Sequence, residues 1–266
     1  MSKITDQGYL LNEQYKDSAN LNARIELHKR FSTASRRWQN WVFDHFQIEP
    51  NSRVLELGCG PGRLWSENLD RVPDSWDITL SDFSPGMVRE AEQHLSRAGR
   101  AFRFEVIDAQ SIAYDDAHFD VVIANHMLFH VPDRPRALSE IRRVLRSGGR
   151  FYTTTVGRHH LREMDELIQR FDSTLAFWEG RPADRFTLES GLDELKAFFA
   201  NVVRHRHADA LVVTEAQPLI DYISSGVRFA DAVRDRRAEF ARFVEQKLAA
   251  RGSIYITKDS GLFEAW

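Results

Sequence analysis

The sequence predicts an α/β protein built on a doubly wound, mostly parallel sheet, and three observations predict it. Five short apolar segments, beginning at Arg53, Asp77, Phe102, Phe119 and Arg150, alternate with stretches of helical periodicity. The fourth, Phe119-Asp120-Val121-Val122-Ile123-Ala124, is a near-continuous apolar run of the kind buried on both faces of a parallel sheet. The first, Arg53-Val54-Leu55-Glu56-Leu57, ends in the glycine-rich turn Gly58-Cys59-Gly60-Pro61-Gly62. Parallel strands joined by helices require right-handed crossovers, which place helices on both faces of the sheet.

Before the first strand, residues 8–48 read as helical, with Leu21, Ile25, Phe31, Trp38, Trp41, Val42 and Phe46 at roughly helical spacing. Arg24, His28, Arg30, Ser32, Arg36 and Arg37 lie among them. These polar residues form either a solvated face or part of a lid over the strand edge, with Tyr9, Tyr15, His28 and Phe31 facing a substrate.

The glycine turn frees the backbone for positive φ and leaves no Cβ to block a ligand. Glu56 puts a carboxylate at the carboxyl end of its strand, the edge at which open α/β sheets bind ligands. A helix over about 61–69 follows, then the strand Asp77–Asp82, also ending in an acid, 26 positions after Glu56. Ser84 and Pro85 suit an N-cap and first helical position of a helix reaching about Gly99. A third strand, Phe102–Ile107, delivers Asp108-Ala109-Gln110, and the fourth delivers Asn125-His126-Met127-Leu128-Phe129-His130. A helix over about 135–145 stops at Ser147-Gly148-Gly149, and Arg150–Val156 is the fifth strand.

A turn of this kind also occurs where a dinucleotide pyrophosphate is bound, or where nothing is bound. The spacing argues against the dinucleotide, because its fingerprint is Gly-x-Gly-x-x-Gly whereas here the third glycine comes one residue early and an acid precedes the first. The run from Glu56 to Gly62 resembles the first motif of class I S-adenosylmethionine-dependent methyltransferases, and Asp82-Phe83-Ser84-Pro85-Gly86-Met87 resembles their second. The resemblance is closest over about 50–157 and includes the ubiquinone/menaquinone-biosynthesis methyltransferases.

The resemblance implies a seven-stranded Rossmann-like sheet with an antiparallel last strand, and S-adenosylmethionine as cofactor, leaving S-adenosylhomocysteine as product. It implies that Glu56, Gly58, Cys59, Gly60 and Gly62 lie beside the methionine portion, Asp82 at the ribose, and Phe83 and Met87 on the adenine. Asp108, Ala109 and Gln110 are expected at the adenine edge, and Asn125 and His126 beside the methyl group. His130 and His126 are candidate general bases, since a neutral imidazole takes a proton near neutral pH. Phe129, His130 and His160 join the candidate acceptor-binding residues.

Past the fifth strand, His159-His160 open a helix on the ligand side, and Phe186–Phe199 reads as a covering helix with Thr187 as N-cap. Val202–His207 alternates as a sixth strand, and Gly252–Lys258 with Gly261–Trp266 supplies the last. Between them, residues 214–251 read as two helices of a cap inserted between edge strands. The expected organisation is a lid over 1–48 and a methyltransferase domain over 49–266 that carries the cap. Phe31, Trp38, Phe171, Phe177, Trp178 and Phe229 in these segments favour an apolar or aromatic acceptor.

With 42% hydrophobic and 28% charged residues and a net charge of −3, the chain offers no electrostatic case for nucleic acid. No run approaches a membrane span, and the amino terminus has no signal-like apolar stretch, so a cytoplasmic protein, monomeric or homodimeric, is expected. The single cysteine, Cys59, reads as a small residue fitting a turn, and the 10 histidines show no metal-ligand spacing. The rival functions are an RNA or protein methyltransferase on the same fold and a non-catalytic binder of the cofactor.

Overall fold

A computed structural model describes residues 3–14, 16, 19–175 and 185–266 of the chain. Tyr15, Phe177 and Trp178 lie outside the described residues. Short helical turns over Lys3–Thr5, Gln7–Tyr9 and Leu10–Gln14 and the helices α1 (Ala19–Phe31) and α2 (Trp38–Asp44) precede β1 (Arg53–Leu57). There follow α3 (Arg63–Ser66), β2 (Asp77–Asp82), α4 (Pro85–Leu95), β3 (Arg103–Val106), β4 (Phe119–Asn125), α5 (Arg134–Val144) and β5 (Leu145–Val156). The last third holds α6 (Arg162–Phe171), α7 (Gly191–Lys196), β6 (Val202–Val213), α8 (Ala216–Ser224), α9 (Val227–Ala232), α10 (Arg237–Arg251) and β7 (Ile254–Ala265).

The seven strands form one sheet in the order β3-β2-β1-β4-β5-β7-β6. The first five strands pair in parallel, and β7 runs antiparallel between β5 and β6. The chain thus builds outward from β1 in one direction and from β4 in the other. The crevice between β1 and β4 is the switch point at which such sheets bind ligands.

Period-two alternation sorts the strands onto two cores. Leu55, Leu57, Val122 and Phe151 face one layer with Ile141 of α5. Val54, Ile78, Leu80, Val121, Ile123 and Tyr152 face the other with Trp65. A third cluster lies beneath the late helices: Leu27 and Phe31 of α1 and Ile168 of α6 pack with Leu219, Ile223, Phe229, Phe240 and Val244. The amino-terminal helix and the helices after β6 therefore share one core.

Several elements differ from the sequence-based expectation. The helix after the glycine turn stops at Ser66, because Asn68, fully buried, donates from Nδ2 to the Leu64 carbonyl at 2.8 Å and to the Gln39 carbonyl at 3.2 Å. The expected helix over Phe186–Phe199 is only Gly191–Lys196. Thr187 does not cap it; its hydroxyl accepts from the N–H groups of Glu189 and Ser190, a local turn that competes with helix. Helix α5 ends at Val144, and β5 begins at once, with the register jumping from Phe119–Leu145 to Val121–Arg150. Strand β6 runs to Val213, beyond the expected His207, and β7 is one unbroken strand. The segment between them holds three helices where two were expected.

Candidate active site

A cavity of about 710 Å³ opens at the carboxyl ends of β1, β2 and β4. Glu56 at its floor is 2% exposed; its Oε2 accepts from Trp65 Nε1 at 2.6 Å and its Oε1 from Asn125 Nδ2 at 3.1 Å. Burial pushes this carboxyl up to about 7, against the two hydrogen bonds and with a further contribution from the charge of Asp82. Asp82 accepts from Gly60 N at 3.0 Å through Oδ2 and from Ser84 N at 2.8 Å through Oδ1. Burial raises it as well, with the backbone donors opposing.

The glycine turn closes this floor. Gly58 has φ +71°, and a Cβ there would lie 2.9 Å from the Met127 Cβ. Gly62 is a correction: it packs toward Leu95 and Ala91 of α4, away from the cavity lining. Ser84 caps α4 through Met87 N, as expected, and Phe83 and Met87 line the cavity. Asp108 is already engaged. Its Oδ1 accepts from Gln110 N at 2.9 Å, and its Oδ2 from Gln7 Nε2 at 3.2 Å, so the amino-terminal segment touches the expected adenine edge.

Imidazoles line the opposite wall. His126 sits at φ +49°, held by its own N–H donating to both the carbonyl and the hydroxyl of Thr154, with its ring 5.1 Å from that of Trp38. Burial lowers it to about 4, helped by the charge of Lys258. His130 Nδ1 lies 2.9 Å from the Ile4 carbonyl, which only accepts, so Nδ1 carries the proton. Burial also lowers His130 to about 4. His160 Nδ1 accepts from Asp259 N at 3.2 Å, which fixes the proton of its neutral ring on Nε2; burial lowers it to about 3. His28 is held well below its usual value by burial first and by Lys258 second.

The cavity thus gathers Glu56, Gly58, Cys59, Gly60, Asp82, Phe83, Met87, Asp108, Ala109, Gln110, Asn125, His126, His28, Phe129, His130 and His160. It does not gather Tyr9, whose hydroxyl lies 3.5 Å from Gln14 Oε1, nor Phe31, which is buried in the third core. Phe171 and Phe229 also pack in that core, so of the described aromatic residues expected to favour an apolar acceptor only Trp38 lines the cavity. The misplacements have one cause: helical periodicity groups apolar residues on a face without indicating whether that face turns to the core or to the cavity.

Lys258 and Ser260 on β7 and Tyr222 on α8 line the cavity and were not expected. A signal for Lys258 exists in the alternation Ile254, Ile256, Lys258, Ser260, in which a cation occupies an inward position behind fully buried Ile256. Among the described residues, no group of His, Cys, Asp and Glu is arranged to hold a metal ion, and no helix is long and apolar enough to cross a membrane.

Residues 55–153 match the family model described as methyltransferase domain. The chain is 30% identical over 154 residues to the ubiquinone/menaquinone biosynthesis C-methyltransferase UbiE of Geotalea daltonii, covering 56% of this chain and 64% of that one. It therefore spans less than two thirds of that relative, and 48% of a UbiE of Bordetella avium. Among solved structures, the phosphoethanolamine N-methyltransferase 2 of Haemonchus contortus in complex with S-adenosyl-L-methionine superposes with a TM-score of 0.59 at 17% identity, over 97% of this chain and 59% of that one.

The residues present fit S-adenosylmethionine. Each Asp82 oxygen takes one backbone N–H and keeps a lone pair for a hydroxyl of a ribose diol. Gly58 leaves open a space in which any side chain would strike Met127. Ile107 and Ala109 flank Asp108 with apolar surface suited to a purine. With sheet order, site and matches in agreement, residues 55–153 form a methyltransferase domain similar to that of the class I S-adenosylmethionine-dependent methyltransferases.

Proposed function

We propose that the protein transfers a methyl group from S-adenosylmethionine to a small metabolite held among the imidazoles. The observation that carries this reading is the continuity of one cavity from the Glu56–Asp82 floor to the wall of His28, His126 and His160. Its volume of about 710 Å³ lies in the range of small-molecule sites. When bound, the cofactor supplies an activated methyl group whose carbon–sulfur bond breaks, with its electron pair going to sulfur, as an acceptor lone pair forms the new bond.

The chain's residues then have four tasks. Asp82 accepts from the ribose hydroxyls, Phe83 and Met87 pack on the adenine, and Asp108, Ala109 and Gln110 read its edge, with Gln7 yielding its place on Asp108. Glu56 and Asn125 hold the methionine end, where a positive ammonium stabilises the ionised form of a carboxyl otherwise raised to about 7. Trp38 and the amino-terminal segment exclude water, and the lid over 1–48 with the cap over 214–251 encloses the acceptor. His126 and His130, both lowered to about 4, remain neutral at physiological pH. Bases that weak act by orienting an acceptor and taking a proton only from an acidic one.

This enclosure favours a metabolite over RNA or protein. The [4+2]-cyclase SpnF superposes over 100% of this chain with a TM-score of 0.56 at 20% identity, so a role other than methyl transfer on the same fold is the second reading. The test is incubation of the protein with methyl-labelled cofactor and a metabolite extract, alongside calorimetry of cofactor binding. Label entering a small metabolite supports the proposal; binding without any labelled product overturns it in favour of the second reading.

A further inference from the structure

The cavity's far wall carries a buried ion pair. Lys258 and Asp209 stand directly opposite each other on β7 and β6, and their side chains are 8% and 1% exposed. Asp209 is fully committed: Oδ1 accepts from Ser32 Oγ at 2.7 Å and from the N–H groups of Thr33, Ala34 and Ala210, while Oδ2 accepts from Lys258 Nζ. Among the described residues Asp209 is the one partner of the ammonium, which has three donors, so two remain on the side that lines the cavity.

His160 adds a third donor. Its Nδ1 is occupied by Asp259 N–H, which leaves Nε2–H for the cavity. His28, on the same wall, has a buried Nδ1 with no partner among the described residues. An ammonium and an imidazole N–H lining one cavity are matched by an anionic oxygen and left unsatisfied by an apolar or cationic group.

We infer that the methyl acceptor carries an anionic oxygen, either a carboxylate or a phenolate or enolate, seated on Lys258 Nζ and His160 Nε2. The inference rests on the methyl-transfer reading of this cavity and names the acceptor's class. An oxygen whose lone pairs are engaged by these donors is a poor nucleophile, so the methyl group goes to another atom of the acceptor. A carboxylate survives untouched by methylation elsewhere in the acceptor; in a phenolate or enolate methylated at carbon the oxygen's electron pair passes through to the new bond, and loss of the proton from that carbon restores the acidic hydroxyl in the product.

The product labelled from a metabolite extract is therefore passed over an anion exchanger. Retention at about pH 8 that is lost at about pH 3 marks a carboxylate, and retention only at about pH 11 a phenolate or enolate, whereas retention persisting at about pH 3 marks a phosphate or sulfate ester and overturns the inference. Either of the first two results is expected; an unretained product overturns the inference while leaving methyl transfer intact. The double variant Lys258→Met/Asp209→Asn removes the pair without stranding a buried charge. It should lower kcat/KM for the retained acceptor by at least about 30-fold, with cofactor affinity unchanged. A rate within threefold of the parent overturns the inference, and should the variant fail to fold, the charge of the parent's product still decides. Cofactor binding with no labelled product removes the methyl-transfer reading itself and this inference with it.

Discussion

Trp65 donates from its indole N–H to Glu56 Oε2 at 2.6 Å, so a residue of α3 holds the carboxylate that β1 delivers to the cavity floor. Both side chains are buried, and the carboxyl is raised to about 7 from an ordinary 4.5. An acid raised in the folded state favours folding when neutral. Its penalty is absent below about 4.5, grows as pH rises, and is complete above about 7. The full penalty is on the order of 3 kcal/mol. Glu56→Gln should flatten this part of the pH–stability curve between about 5 and 7, measured by urea unfolding. Cofactor affinity should rise with pH up to about 7 in the parent and lose that dependence in the variant.

Asp82 is bonded only to the backbone of the turn and of the segment opening α4. Asp82→Ala should leave the far-UV circular dichroism unchanged and weaken cofactor binding by at least about 100-fold, the loss expected when two hydrogen bonds to a buried carboxylate disappear. Parent-like affinity in calorimetry would remove Asp82 from the ribose site.

At Gly58, a methyl group meets Met127 at 2.9 Å in a backbone conformation that L-residues resist. Gly58→Ala should cost about 1–2 kcal/mol of stability from the left-handed φ alone and weaken cofactor binding as Met127 is displaced. Thermal unfolding with and without cofactor separates the two effects.

Phe229 is 1% exposed and packs edge-on against Phe240, 5.1 Å between ring centroids. Phe229→Ala should lose about 3–5 kcal/mol in denaturant unfolding, the cost of a large core cavity, while Trp38→Ala changes acceptor KM far more than stability.

Cys59 is buried, and burial pushes its thiol well above the usual value, with the charges of Asp82 and Glu56 adding to the shift. Cys59→Ser should therefore retain activity, and the native thiol should react with a disulfide reagent only on unfolding, followed spectrophotometrically.

The gathering of the residues expected to hold the cofactor was legible in the sequence because they fall in chain order at successive strand ends. Glu56, Asp82, Asp108 and Asn125 each follow an apolar run, and the sheet brings them together as that pattern requires. The opposite wall was legible only in part: His28, His126 and His160 were expected there and line the cavity, whereas Lys258 was not expected, because the wall is assembled from residues distant in sequence. His28, His126, His160 and Lys258 come from α1, the loop after β4, the turn before α6 and β7, and no local period links them. The helix ends missed at Ser66 and near Thr187 share another cause: Asn68 and Thr187 redirect backbone hydrogen bonds through side chains, which helical periodicity does not register.

Lys258 sits within a twelve-residue antiparallel ladder, whereas residues 3–14, outside the sheet, are anchored by buried Ile4 and reach the same cavity through side-chain contacts such as Gln7 to Asp108 and the Ile4 carbonyl to His130. Opening the ladder breaks many hydrogen bonds together; parting those contacts breaks them one at a time. The cavity is accordingly an anvil on one side and a latch on the other. Shortening the chain before α1 is therefore expected to change the rate of ligand exchange, followed by stopped-flow cofactor binding, while Lys258 keeps its place in the ladder.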